Sequence, residues 1–331
     1  MKHSRKARKV ERLKKTKEPI VQENEPKLVE EKIVTARNEQ KNFFLRIYDE
    51  QYRKLLFIPI LLLLFAIIAI GMNIVQTGDF VNKGVSLKGG IIFTVPTEIS
   101  ITSEEITSIL HNQLPNSDVS VRLISEFGVQ KGFIIEAADI TESELLLTLE
   151  TRIPNLRDFY SAETIGSSLG DSFFKQTLFA IFVAFIFMGL VVFYYFRSLV
   201  PSAAVILAAL SDIIITLAIV DFFGMKLSTA GIAAFLMLIG YSVDTDILLS
   251  TRVLKNKEGT VLSRILSAMK TGLTMTATTL VAITVALLVT QSEVIRQIMV
   301  ILLVGLLVDL VNTWIQNVAI IRIYLDKKGV K

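Results

Sequence analysis

Long apolar blocks alternate with shorter polar stretches along the chain. Runs of roughly 18 residues or more, the length an α-helix needs to cross a bilayer, occur at Leu55 to Val75, Gln176 to Phe196, Leu199 to Phe223, Leu227 to Leu249, Thr271 to Val289 and Ile298 to Tyr324. They predict six transmembrane helices. Between the first two runs the pattern changes to short alternating or β-branched segments at Gly90 to Val95, Val119 to Ser125 and Gly132 to Ala137. Helical stretches lie at Ser103 to Leu114 and Glu142 to Arg152, and a strand near Phe159 to Ile165 would close the set. Ser103 followed by Glu104 and Glu105 reads as an N-cap, and Thr141-x-x-Glu144 as a capping box.

The order β-α-β-β-α-β predicts a split βαβ, ferredoxin-like unit. The expected architecture is therefore an all-α membrane bundle of six helices, arranged 1+5, with an inserted α+β extracytoplasmic domain. The expected boundaries are a basic arm over 1–53, largely disordered, a first transmembrane helix over 54–75 and the exposed domain over 76–172. Transmembrane helices 2–6 cover 173–324, and 325–331 form a tail. Within the arm, Asn42 to Tyr52 reads as a short interfacial helix.

Charge sets the orientation. The first 54 residues carry sixteen Lys or Arg, whereas Gln76 to Ser172 carries fourteen acidic and six basic residues. By the positive-inside rule both termini are cytoplasmic and the acidic loop is translocated. Arg197, the run from Arg252 to Lys270 and the tail from Arg322 to Lys331 agree with that choice. The basic arm suits a positive-inside determinant near anionic lipid better than a nucleic-acid site. The first apolar run is longer than the core of a cleaved signal and lacks a small-x-small cleavage site, so it reads as an anchor.

The chain has no cysteine, which excludes disulfides and thiolate metal sites. His3 and His111 stand apart, and no nucleotide loop or Ser/His/Asp set occurs. Neither an enzymatic site, a cofactor nor a metal is expected.

Four carboxyls lie within spans: Asp212, Asp244, Asp246 and Asp309. An Asp at the centre of a membrane helix costs about 2.5 to 3.5 kcal/mol on insertion scales. Such a group is either poised to exchange a proton or serves as interhelical glue. Helical spacing puts Asp309, Asn312 and Gln316 on one face and Lys270, Thr274 and Thr278 on another, and both faces are expected to look inward. Gly231, Ala234, Leu238 and Ser242 keep one side of the fourth span slim for close packing. Gly240 offers a place where that helix bends or admits water.

Several of these segments resemble the SecD/SecF protein-export family, of the resistance-nodulation-division superfamily. Gly84-Val85-Ser86-Leu87-Lys88-Gly89-Gly90 resembles the family pattern Gly, apolar, Asp, Phe, any, Gly, Gly, with Ser86 and Leu87 in place of the Asp and Phe. The stretch Glu163 to Gly170, with Gly166 and Gly170, resembles its Gly-x-x-x-Gly approach to the second span. Leu210 to Thr216 resembles the third-span segment, with Ser211 where bacterial members often carry His. The most specific match is Ile239-Gly240-Tyr241-Ser242-Val243-Asp244-Thr245-Asp246, a variant of the fourth-span motif that suggests the archaeal branch. Lys270 to Thr279 resembles the basic residue and Ser/Thr-rich fifth span.

The resemblance implies a SecF-like subunit that pairs with SecD and helps unfolded polypeptides through a SecYE-type translocon in the plasma membrane, driven by the proton gradient. It assigns Asp244 the proton-carrier position with Asp246 as the shifted alternative, Asp212 as a polar partner and Lys270 as a counter-charge. Asp309 matches no bacterial motif of the family, and its assignment rests on burial. Two other readings stay open: a non-conducting brace for SecD or the channel, and half of a solute or lipid exporter.

Overall fold

The computed structural model describes residues 43–97, 101–114, 118–126, 129–138, 140–153, 156–256, 258–290 and 292–329. The arm over 1–42 lies outside the described residues. In chain order the helices begin with α1 (Phe43–Glu50), α2 (Tyr52–Leu55) and α3 (Phe57–Thr77), followed by the short α4 (Val85–Lys88). The next group is β1 (Gly90–Pro96), α5 (Ser103–Gln113), β2 (Asp118–Glu126), β3 (Val129–Ala138), α6 (Glu142–Glu150) and β4 (Ser161–Ile165). Long helices resume with α7 (Ser167–Phe196), α8 (Leu199–Phe222), α9 (Thr229–Leu254), α10 (Val261–Val289) and α11 (Glu293–Val311). A π-helical segment, Asn312–Asn317, joins α11 to α12 (Val318–Lys327).

Among the described residues six helices are long and apolar enough to cross a membrane, so the chain is a multi-pass membrane protein. In lipid every backbone group must be satisfied within its own helix, which these lengths allow. The apolar windows of α8 and α9 are 56% and 50% buried, against 6% for α7. Hence α8 and α9 form the centre of the bundle while α7 turns most of its surface outward. Phe179, Phe182 and Phe187 of α7 stay exposed, as a lipid-facing surface permits.

The four strands form one antiparallel sheet in the order β2-β3-β1-β4. Along β1 burial alternates, with Ile91, Phe93 and Val95 turned to one face, and the register sets them opposite Ala137, Ile135 and Phe133 of β3. That face packs on Ile106 and Leu110 of α5 and on Leu145 and Leu149 of α6, one per helical turn. The Phe93 ring stacks on Tyr160, with centroids 4.6 Å apart.

The caps fall where local chemistry puts them. Thr141 and Glu144 form the expected capping box, and its hydrogen bonds hold the Glu144 carboxyl below the usual carboxylate range. For α5 the cap is one residue earlier than the sequence pattern suggested, since Thr102, not Ser103, accepts from the Glu105 N–H at 3.2 Å.

Two glycine-rich stretches bring the chain into and out of the sheet side by side. A Cβ on Gly170 would lie 2.8 Å from the Gly89 nitrogen, and one on Gly89 would lie 2.5 Å from the Ser167 Cα. Gly89 also has φ +89°, a conformation side chains disfavour. The sheet is tied to the bundle by backbone pairing. The Gly84 N–H donates to the Leu227 carbonyl at 2.8 Å and the Leu227 N–H to the Asn82 carbonyl at 2.7 Å.

Truncating Phe93 to Ala removes the largest buried ring of β1 and is expected to destabilise the sheet domain by about 3 to 5 kcal/mol. Limited proteolysis of the full chain should then cut residues 90–165 at lower temperature than in wild type, with the spans left intact.

Candidate functional site

A polar network occupies the interior of the bundle. Asp212 of α8 is 1% exposed and accepts two hydrogen bonds from other helices, from Ser242 Oγ of α9 at 2.5 Å and from Asn312 Nδ2 of the π segment at 2.7 Å. Asp246 of α9 accepts through one oxygen from Thr313 Oγ1 at 3.0 Å and Asn317 Nδ2 at 2.6 Å. Asp309 of α11 lies one turn before Thr313, whose hydroxyl also reaches its Oδ1 at 2.9 Å. Asp246 and Asp309 are both fully buried.

Local structure explains why these groups meet. Gly305 lets α11 approach α9 so closely that a Cβ would sit 2.5 Å from Leu238 Cδ2. Beyond it the chain widens into the π segment, which places Asn312, Thr313, Gln316 and Asn317 inside the bundle together. A π turn shifts the i→i+4 phase by one residue, so adjacent pairs such as Asn312-Thr313 can both face inward. Trp314, the chain's single tryptophan, is 4% exposed and fills the gap against Gly272 of α10, where a Cβ would lie 2.3 Å from its ring.

The hydrogen inventory of this network is informative. None of the partners of Asp212, Asp246 or Asp309 is cationic. Thr313 has one hydroxyl hydrogen but two carboxyl oxygens at hydrogen-bond distance, so only one contact can be its donation. The second is completed when a carboxyl carries a hydrogen. Asp246 Oδ2 and Asp309 Oδ2 are buried and have no hydrogen-bond donor among the described residues.

The sequence-derived residues divide into two sets. Asp212, Asp246, Asp309 and Ser242 come together in the interior. Asp244 does not join them: it is exposed on the outer side of α9 with Gly240 and Tyr241, two positions away from Asp246 and hence on the far side of the helix. The face of Lys270, Thr274 and Thr278, expected to look inward, is also exposed, because α10 buries Val261, Ile265, Ala268, Gly272 and Thr276 instead. Asp244 precedes the end of α9 by ten residues and Lys270 follows the start of α10 by nine, which puts both about 14 to 15 Å into the bundle. No ion pair joins either to another described residue.

The glycines of the two flanking motifs serve the joint described above. Gly84 starts α4 against Leu227, Gly89 and Gly170 pack on one another, and Gly166 precedes α7. Gly90 abuts the Ala137 carbonyl, and Ser86 Oγ accepts the Thr229 N–H at the start of α9. Sequence reasoning missed Thr313 and Asn317. Their signal was the density of polar residues from Asp309 to Asn317, which exceeds one helical stripe.

Such a membrane bundle, with carboxyls buried at its centre and a small sheet domain tied to one end, is the kind of protein built for transport. The model of the family described as protein export membrane protein SecD/SecF, C-terminal, matches residues 149–327. The chain is 39% identical over 285 residues to the protein-export membrane protein SecF of Methanothermobacter thermautotrophicus, covering 85% of this chain and 95% of that one. It is also 39% identical to SecF of Pyrococcus furiosus, covering 83% and 92%. The crystal structure of SecDF from Thermus thermophilus superposes with a TM-score of 0.68 at 20% identity, over 86% of this chain but 39% of that longer one. The chain belongs to the SecF family of protein-export membrane proteins.

Gly272→Ala is expected to push the Trp314 ring, shifting its fluorescence emission and lowering the thermal midpoint. Gly240→Ala, where a Cβ meets nothing within 4 Å, should leave the emission unchanged and should not lower the midpoint, since alanine favours the helix. Equal spectra for the two variants would mean that the π segment does not pack on α10 as described.

Proposed function

We propose that this chain is a SecF-type subunit that pairs with a SecD-type partner and assists export of unfolded polypeptides through a SecYE-type channel, coupled to the proton gradient. The observation that carries the reading is the outward-facing pair Asp244 and Lys270, at one depth in the membrane. A charged residue facing lipid there costs about 2.5 to 3.5 kcal/mol, so this surface calls for a covering partner. The groove beside it is lined by Arg252, Ser267, Lys270, Thr274, Met275 and Thr278, and so combines a charged rim with apolar surface that a partner helix could cover. In this reading Asp244 takes up the proton at the partner interface and Lys270 is its counter-charge. Asp212, Asp246 and Asp309 form the internal relay behind it.

The remaining features fit that assignment. The sheet order β2-β3-β1-β4 with α5 and α6 on one face supports a ferredoxin-like domain over 76–172, inserted after the first of six spans in a 1+5 arrangement. The basic ends over 1–53 and 325–331 support cytoplasmic termini, resting near membrane lipid. Spans 2–6 then fill 173–324.

A second reading is a non-conducting brace, favoured by the fact that each interior carboxyl has neutral hydrogen-bond partners. Interhelical hydrogen bonds in membranes contribute about 0.6 kcal/mol on average, less than the insertion cost of one Asp. Glue alone therefore does not account for three buried carboxyls.

Asn keeps the shape of Asp but does not titrate. Export of a secreted reporter is measured for Asp212→Asn, Asp244→Asn, Asp246→Asn and Asp309→Asn, with the membrane levels of the subunit and of SecD. Lost export at normal levels is expected for Asp244→Asn and for at least one interior variant. Normal export in all four would leave the brace.

A further inference from the structure

A cavity of about 630 Å³ opens where the α7–α8 turn, the α9–α10 loop and the end of α12 meet. This end lies about 45 Å along α7 from the sheet domain. Arg197, Lys255, Arg264 and Lys328 line the cavity, and among the described residues no carboxylate does. Arg264 is only 7% exposed, and the oxygens its guanidinium donates to among the described residues are neutral: the carbonyls of Val253 at 2.8 Å and Asn256 at 2.6 Å through Nη1 and that of Thr260 at 3.5 Å through Nε. A buried cation without an anion is costly, and this one borders an open cavity.

Among the described residues no ion pair joins the other three cations either. Lys255 Nζ sits 3.5 Å above the Tyr195 ring centroid and Lys328 Nζ 4.5 Å from that of Tyr324, which holds the charges in place without neutralising them. Arg197 ends α7 in the left-handed conformation, φ +49°. The lining residues Ser198 and Gly259 lie at the starts of α8 and α10, while α7, α9 and α12 end at the same cavity, so the helix dipoles offset one another and the positive potential comes from the side chains. Phe196, Leu254 and Leu325 supply an apolar wall.

We propose that this cavity binds the phosphate of an anionic phospholipid, with Arg264 at its floor and Arg197, Lys255 and Lys328 around the headgroup. The occupant is a lipid because cations stand beside apolar side chains at the ends of membrane spans, the level of the headgroups. The inference needs only that these helices cross a bilayer, not that protons drive export.

The test follows thermal unfolding of the purified full chain in neutral detergent with added phosphatidylglycerol, phosphatidylcholine or inorganic phosphate. Phosphatidylglycerol is expected to raise the midpoint by about 5 °C at roughly 100 times its dissociation constant, with little effect of the other two. The double variant Arg197→Gln, Lys255→Gln should lose that rise while keeping the midpoint of lipid-free wild type. Lys327→Gln, outside the cavity, should retain it. Equal stabilisation by phosphatidylcholine, full replacement by inorganic phosphate, or an undiminished rise in the double variant would each overturn the proposal. If the double variant does not fold, native mass spectrometry of Lys328→Glu decides: one fewer retained phosphatidylglycerol is expected, and unchanged retention refutes the site.

Discussion

The bundle depends on the junction at Asp212. A carboxyl in the middle of α8 has no water to turn to, so its acceptors must be met by side chains of neighbouring helices. Ser242 and Asn312 meet them, and in doing so fix how α9 and the π segment are rotated about their axes. The same rotation brings Asp246 against Thr313 and Asn317. Small residues permit this approach: Gly305 admits Leu238, and Gly272 admits Trp314.

Once α9 is held in that rotation, the motif from Gly240 to Asp246 serves two surfaces. Ser242 and Asp246 point into the network, and Tyr241 and Asp244 point away from it. On the proposed reading, the inner surface stores and relays a proton while the outer one is completed by a partner. The cation cluster around Arg264, at the end of the bundle away from the sheet domain, obeys the same rule in reverse: where charge is concentrated without an internal partner, something outside the chain is expected to supply one.

The sheet domain is coupled to these helices through few but rigid links. Leu227 pairs with Asn82 and Gly84 through the backbone, and Lys226 reaches Asp118 at 2.8 Å. Next to them Ser228 caps α9 and donates to Gln297 of α11, whose Nε2 holds the Lys226 carbonyl at 2.7 Å. The exposed domain is thus joined to the two helices that carry Asp246 and Asp309. A shift of α9 against α11 has a short mechanical route to the sheet.

The number of spans, the position of the sheet domain and its element order were legible in the sequence, because each rests on local periodicity: length in apolar runs, alternation in β1, a capping box at Thr141. The glycine pairs at 84–90 and 166–170 were legible as motifs, though not that they touch. Only the tertiary structure decided which intramembrane side chains face one another. The sequence ranked Asp244 ahead of Asp246 on motif position, with nothing to say which of the two faces inward, and the face of Lys270 and Thr274 looks as suited to the interior as that of Gly272 and Thr276. The π segment removes the last basis for counting faces, since it breaks the 3.6-residue period within the stretch that carries the network. Periodicity fixes what a segment is. Rotation about its axis is fixed by contacts with helices distant in sequence.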